Sequence, residues 1–243
     1  MSGRSTSVVL AAAGASARLR AEVRKPYIEL AGKPIFFHSL ELFTALESLL
    51  EFVIVVHPLD RPDFARNFGP QLQMLPVPAS VVPGGEFRSE SIAKALEAVS
   101  PEAELIAVHD AVRPFTRPEV IRLVVERARM TGAAIAATRV SDTIKGERPG
   151  SDGGPEVERT VPREGLWLAQ TPQVFRAEIL REAYRKYGPD PDATDDAQLV
   201  ERLGRPVALV ESGRLNIKIT TPEDLVFAKA LVAGARRSGA PAE

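Results

Sequence analysis

Ser7-Val-Val-Leu-Ala-Ala-Ala13, closed by Gly14, is a short apolar run with no polar alternation. A strand with one wet face alternates; an unbroken run fits a strand buried on both faces, as in a parallel sheet. The pattern repeats outward along the chain. Glu51-Phe-Val-Ile-Val-Val56, Pro78 to Val82, Glu104-Leu-Ile-Ala-Val-His109 and Ala133-Ala-Ile-Ala-Ala-Thr138 read as further strands. Between them the apolar spacing turns helical: Ile35 to Phe43 opened by Pro34, Ser89 to Val99, and Pro118 to about Met130 stopped by Gly132. Buried strands alternating with helices predict an α/β fold, a three-layer, mostly parallel sheet with helices on both faces. Ligands in such sheets sit beyond the carboxyl ends of the strands, which singles out residues 11–18, 83–91 and 109–114.

The pattern breaks at about Arg139. Val140 to Lys145 and Val157 to Val161 are strand-like runs around a Gly/Pro-rich tip at 146–156, which reads as a protruding β-hairpin. From sequence alone it is equally an ordinary surface hairpin. Helices return at Ala177–Tyr187 and Asp195–Leu203, the latter with Thr194 as its cap. A strand at Pro206–Glu211 and the alternating run Asn216-Ile-Lys-Ile-Thr220 follow, placing Asn216, Lys218 and Thr220 on one strand face. Thr221-Pro-Glu-Asp224 opens the last helix with an approximate capping box, and the residues after Ala235 read as a frayed tail.

The chain has 243 residues, which at about 150 per domain favours one domain over 1–243 with an appendage at about 139–163. Its 31 Lys and Arg against 32 Asp and Glu give a net charge of −1, which argues against a nucleic-acid partner. There is no cysteine, so no disulfide, thiolate metal site or cysteine nucleophile. The histidines, His38, His57 and His109, lack metal-ligand spacing, and no protein-held metal site is expected. No apolar run approaches the ~20 residues that span a membrane, and Met1 to Thr6 is too short and polar for a secretory signal, so the expected compartment is the cytoplasm.

The loops at the strand ends hold the chemistry. Gly14 to Arg18 combines small residues, whose backbone amides can approach a phosphate or base edge, with a guanidinium; it is equally a plain tight β–α turn. It is not a dinucleotide fingerprint, because Ser16 and Leu19 stand where glycines are needed, nor does Gly32-Lys33-Pro34 make a Walker loop. Those spacings exclude a nicotinamide oxidoreductase. Lys25, fixed ahead of Pro26, could reach the same phosphates or be a plain surface lysine. Pro83-Gly-Gly-Glu-Phe-Arg-Ser-Glu-Ser91 permits close backbone approach, with Arg88 and Ser91 on one side of the helix start; the plainer reading is a Gly-Gly turn with Ser89 as cap. Asp110 and Arg113 offer a carboxylate for ribose hydroxyls or a metal and a guanidinium for an anion, or else a structural pair. Lys218 is unusual on an apolar run, and lies at an edge or faces an anion.

Taken in order, Ala12-Ala-Gly-x-Ser-x-Arg18, Lys25-Pro26, Gly84-Gly-x-x-Arg-x-x-Ser91, His109-Asp-Ala-x-Arg-Pro114, Asp142-Thr-Ile-Lys145, Leu166-Trp-x-x-Gln-Thr-Pro-Gln173 and Asn216-Ile-Lys-Ile-Thr-x-Pro-Glu-Asp224 resemble the 2-C-methyl-D-erythritol 4-phosphate cytidylyltransferases over essentially the whole chain. The resemblance implies a Rossmann-like nucleotidyltransferase fold and transfer of CMP from CTP to a polyol phosphate in isoprenoid biosynthesis, with Mg²⁺ bound mainly through the CTP phosphates. By position it implies that Ala12, Ala13 and Gly14 contact cytidine through backbone. Gly85, Glu86 and Ser91 would read cytosine, and Asp110 and Ala111 the ribose side. Arg18, Lys25 and Lys218 would be catalytic, surrounding the α-phosphate and the leaving diphosphate. Asp110, Arg113 and Thr171 would line the acceptor pocket. The hairpin would be an arm that makes a homodimer, with Thr143 and Arg163 reaching the partner's substrate. Ribitol 5-phosphate cytidylyltransferases share the CTP motifs and are the nearest alternative. Sugar-1-phosphate nucleotidyltransferases fit the Gly-Gly-x-x-Arg segment and the arm less well, and a non-catalytic nucleotide-binding protein would have no reason to keep Arg18, Lys25, Arg113 and Lys218 together.

Overall fold

The computed structural model describes residues 3–14 and 24–237. Its strands, in chain order, are β1 (Thr6–Ala11), the minimal pair β2 (Glu29–Leu30) and β3 (Lys33–Pro34), β4 (Leu49–Val56), β5 (Ala79–Pro83), β6 (Leu105–Asp110), β7 (Ala133–Arg139), β8 (Ile144–Pro149), β9 (Pro155–Val161), β10 (Trp167–Arg176) and β11 (Ala208–Glu211). The helices are α1 (Ile35–Glu41), α2 (Arg61–Gln73), α3 (Arg88–Ala98), α4 (Pro118–Thr131), α5 (Ala177–Tyr187), α6 (Asp196–Arg202) and α7 (Pro222–Arg237). Seven strands form one sheet in the order β11-β7-β10-β6-β1-β4-β5. All neighbours are parallel except β10, which runs antiparallel to both β6 and β7.

The apolar run at the head of the chain becomes β1 near the middle of this sheet, with Val8, Val9 and Leu10 fully buried. Alternation sends its side chains to two different cores. Val8 and Leu10 pack with Phe36, Phe64 and Val124 of α1, α2 and α4. Val9 packs on the opposite face with Ile92, Leu180 and Leu199 of α3, α5 and α6. Each such side chain withdrawn from water contributes about 1.5–3 kcal/mol, so both helical layers are needed to cover the sheet. Helix α7 closes a smaller cluster in which Leu225 and Ala228 meet Ile35, Val112 and Ile219.

Several sequence expectations are corrected. Strand β10 has no counterpart among them. Its centre, Gln170-Thr-Pro-Gln173, is polar, and its pairing with β7 is interrupted between Ala169 and Gln173, which is how a central strand accommodates Pro172. Helix α2 likewise goes unannounced, because it contains Gly69 and Pro70 and buries only Phe64 and Leu72. The cap of α6 is Asp195 rather than Thr194: its carboxylate accepts from the Gln198 amide at 3.0 Å. The Asn216–Thr220 run is not a strand of the described sheets; Asn216 and Ile219 are buried, whereas the Lys218 side chain is 42% exposed. Ser89 does not cap α3 but donates its hydroxyl to the Asp190 carbonyl. The β8–β9 ladder runs on to Pro149↔Pro155, so the tip is 150–154, shorter than expected, and the first strand starts at Ile144. Helix α7 continues to Arg237, with the expected reciprocal cap between Thr221 and Asp224. The rest of the tail, 238–243, lies outside the described residues.

Candidate active site

Strands β1, β4, β5 and β6 run parallel, so the loops that follow them emerge at one edge of the sheet. There they surround a cleft of about 330 Å³. One wall is the backbone from Ala11 to Gly14, which leaves β1. The opposite wall is Gly85 to Arg88 together with Ser91 on the first turn of α3. The two walls are drawn together at Gly84, where an added Cβ would stand 2.3 Å from the Ala13 Cβ and 2.9 Å from Ser91 Oγ. Only glycine allows that approach. The second loop is held by α3: the Gly85 amide donates to Ser91 Oγ at 2.9 Å, the Glu86 amide to Glu90 Oε2 at 2.7 Å, and Lys94 Nζ to the Gly84 carbonyl at 3.2 Å. Lys94 and the Glu86 amide hold the Glu90 carboxyl below its usual range.

The cleft floor is Asp110, the last residue of β6, paired in register with Ala11. Its Oδ2 accepts from Lys218 Nζ at 2.9 Å and Arg113 Nε at 3.3 Å, and its Oδ1 faces Arg88 Nε at 3.9 Å. Burial alone would raise the Asp110 pKa, but Lys218, Arg88 and Arg113 together hold it far below the usual carboxylate range. Asp110 is therefore a fixed anion that holds three cations. Lys218 reaches it from the 216–220 segment, which Arg113 anchors through a 2.8 Å bond to the Asn216 carbonyl. Asn216 itself donates to the Thr171 carbonyl and to Gln170 Oε1, each at 2.9 Å.

Lys25 enters from the other side on a short 3-10 turn, Lys25–Tyr27. That turn is bolted down on both sides of the lysine. Arg24 Nε pairs with Asp60 Oδ2 at 2.6 Å, and the Tyr27 ring packs among Phe36, Phe64 and Phe68. Burial, reinforced by Asp60, raises the Tyr27 hydroxyl's pKa, so it stays neutral. Lys25 makes no ion pair with a described residue.

Of the residues singled out from sequence, Ala12, Ala13, Gly14, Lys25, Gly85, Glu86, Ser91, Asp110 and Lys218 share this cleft. Ala111, Arg113 and Thr171 lie behind it. Ala111 is fully buried and its amide donates to the Ala11 carbonyl. Arg113 is folded against Asp110 and the Asn216 carbonyl, and Thr171 Oγ1 accepts from the Asp110 amide at 3.0 Å. Thr143 and Arg163 flank the β8–β9 hairpin and are not among the residues that line the cleft; Arg163 donates to the Ser141 carbonyl. Arg18 lies outside the described residues. Arg88, which the sequence places beside Ser91 on the helix start but to which it assigns no role, also lines the cleft.

His109, beside Asp110, is fully buried, with Nδ1 3.1 Å from Thr171 Oγ1 and Nε2 3.2 Å from the Arg113 carbonyl. Burial pushes its pKa down from 6.5 to about 4, and the nearby Asp110 only partly offsets this. The unfolded chain thus takes up a proton near pH 6.5 that the native state refuses until about pH 4. Stability is unaffected above pH 6.5 and falls as the pH drops through that window, by about 2 kcal/mol between pH 7 and pH 5. Asp110 does not contribute there, because its ordinary value of 3.8 already lies below the window. Urea unfolding at the two pH values checks this, and in His109→Gln the fall across the window disappears.

A doubly covered, mostly parallel sheet with a small-residue loop after β1, a second Gly-Gly loop and converging lysines defines a nucleotidyltransferase of the Rossmann-like type. The comparisons carry this to a family. Residues 6–234 match the family described as 2-C-methyl-D-erythritol 4-phosphate cytidylyltransferase, and the chain belongs to it. It is 44% identical over 231 residues to the protein of that name from Pelotomaculum thermopropionicum, covering 93% of each chain. It is 39% identical to the one from Geobacillus kaustophilus, covering 93% of this chain and 96% of that one. Among solved structures it resembles the 2-C-methyl-D-erythritol 4-phosphate cytidylyltransferase of Thermus thermophilus, with 35% identity, a TM-score of 0.74 and coverage of 94% and 99%. It also resembles the 4-diphosphocytidyl-2C-methyl-D-erythritol synthase of Anaerococcus prevotii, with 30% identity, a TM-score of 0.78 and coverage of 95% and 96%.

Proposed function

We propose that this chain transfers CMP from CTP to 2-C-methyl-D-erythritol 4-phosphate, giving 4-diphosphocytidyl-2-C-methyl-D-erythritol and diphosphate for isoprenoid synthesis. The observation that carries the reading is the meeting of Lys25, Lys218 and Asp110 with the two glycine-bearing loops in one cleft. A phosphate oxygen of the acceptor attacks the α-phosphorus of CTP, and the bond to the diphosphate oxygen breaks. No covalent enzyme intermediate is required, so the protein contributes positioning and charge stabilisation. The backbone at Ala12, Ala13 and Gly14 and the loop at Gly85, Glu86 and Ser91 hold the cytidine, and Asp110 accepts from the ribose. Lys25, Lys218 and Arg18 stabilise the charge that builds on the α-phosphate and on the leaving group. Arg113 and Thr171 support the acceptor side through Asp110.

Among the described residues no three His, Asp or Glu side chains gather to hold a metal ion. A Mg²⁺ carried in by the triphosphate needs few protein ligands. When bound, the ion supplies charge neutralisation on the phosphates and polarises the α-phosphorus.

The arm belongs to the same proposal. Nearly every side chain of β8 and β9 is exposed on both faces, so nothing among the described residues of this chain covers it. An isolated two-stranded hairpin is marginal in water, and a second subunit would supply the missing support. In the resulting homodimer Thr143 and Arg163 bind the partner's acceptor phosphate, and the rest of the chain acts as one domain. No described helix is long and apolar enough to cross a membrane, and we assign the dimer to the cytoplasm. The test is diphosphate release from CTP with either acceptor. We expect release with methylerythritol 4-phosphate. Release with ribitol 5-phosphate alone would replace this acceptor, and release with neither would leave a nucleotide-binding protein.

A further inference from the structure

Arg88 occupies a position that the proposed chemistry does not use. Its Nη2 donates to Asp196 Oδ2 at 2.7 Å, and its Nε lies 3.9 Å from Asp110 Oδ1 at the cleft floor. Asp196 is fully buried and cannot move to meet it: Tyr184 donates to its other oxygen at 2.6 Å, and Gln173 Oε1 accepts from the amides of Asp196 and Ala197 at 3.1 Å. Gln173 pairs in register with Val108 of β6, two residues before Asp110. Asp110 thus ends β6, while Asp196, in the first turn of α6, is held by Gln173 of the neighbouring β10, and Arg88 lies between the two carboxylates at the start of α3. Of the two Asp110 oxygens, Oδ2 is filled by Lys218 and Arg113, while Oδ1 makes no hydrogen bond to a described side chain. Oδ1 is the oxygen with capacity to accept from a ribose hydroxyl.

We propose that Arg88 is a positioning residue for sugar recognition: clamped by Asp196, it sets the rotamer of Asp110 so that Oδ1 faces the ribose of the nucleotide. Arg88 is committed first to Asp196, which takes its Nη2 at 2.7 Å, while its Nε faces Asp110. The inference rests on Asp110 being the ribose ligand, so the experiment tests both. The kcat/KM is measured for CTP, 2′-deoxy-CTP and 3′-deoxy-CTP in the parent, R88Q, R88K and D110N. In R88Q we expect kcat/KM for CTP to fall on the order of 10- to 100-fold, the range a misplaced contact produces, while the deoxy analogue that lacks the bound hydroxyl falls far less. The preference for CTP therefore collapses. R88K, which keeps a cation beside Asp196, recovers part of that preference, and it serves as the readout if R88Q does not fold. A role confined to holding the fold predicts equal losses for all three nucleotides and an unchanged preference, which overturns the proposal. If D110N loses the preference and R88Q keeps it, only the role of Arg88 falls. If D110N keeps it, the ribose assignment of Asp110 falls and the proposal with it.

Discussion

Lys25→Ala lowers kcat by about 10³-fold while the melting temperature stays within a few degrees of the parent. The size follows from what the lysine is proposed to do. Removing one charged donor aimed at a developing oxyanion in a closed site costs a factor of about 10²–10³. Here the charge that builds at phosphorus is larger than on an acyl oxygen, so the upper end is expected. The unchanged stability follows from the geometry. Lys25 makes no ion pair with a described residue, so its loss strands no partner. Its turn stays anchored by Arg24 on Asp60 and by Tyr27 among the phenylalanines. Lys218→Ala also removes a cation proposed to act on the phosphates, but it takes away the nearest counter-ion of buried Asp110, leaving Arg88 and Arg113 beside it. Some loss of stability is expected there, because a buried charge deprived of a partner is costly. Lys25 is thus the cleaner test. Steady-state turnover with saturating CTP, read beside thermal unfolding, decides it; a kcat within tenfold of the parent would take Lys25 out of the catalytic group.

The contrast between the two lysines shows what the sequence discloses and what it hides. Strands β1, β4, β6 and β7 are legible because burial on both faces leaves unbroken apolar runs, and their order places three loops at one edge. Strand β10 is not legible, because its polar centre is satisfied only at long range. Gln173 is taken up by Asp195 and the start of α6, Gln170 by Ser212 and Asn216, and Thr171 by Asp110 and His109. No local pattern announces partners that lie tens of residues away. The site divides in the same way. The strand-end rule finds Gly14, Gly85 and Asp110. It gives no sign that Arg113 turns inward onto Asn216 rather than toward a ligand, nor that Arg88 has a buried carboxylate 108 residues further on.

Two variants that are each inactive, Lys218→Ala and Arg163→Ala, regain about a quarter of the parent activity when co-expressed in equal amounts, if the arm completes the neighbour's site. In a symmetric dimer each site combines the cleft of one subunit with the arm of the other. Random pairing makes about half of the dimers mixed. In a mixed dimer one site carries both substitutions, and the other unites an intact Lys218 with an intact Arg163. One working site in half of the dimers gives about a quarter of the sites. The structure supplies the reason to expect this: Arg163 and Thr143 sit at the hairpin root and take no part in lining their own chain's cleft. Were Arg163 to act within its own chain, every site in the mixture would lack one of the two groups and no activity would return. A purely architectural arm gives a third result, because Arg163→Ala alone would then stay active with KM for the acceptor phosphate unchanged. Activity of the mixture, read beside the mass of the particle by light scattering, separates the three.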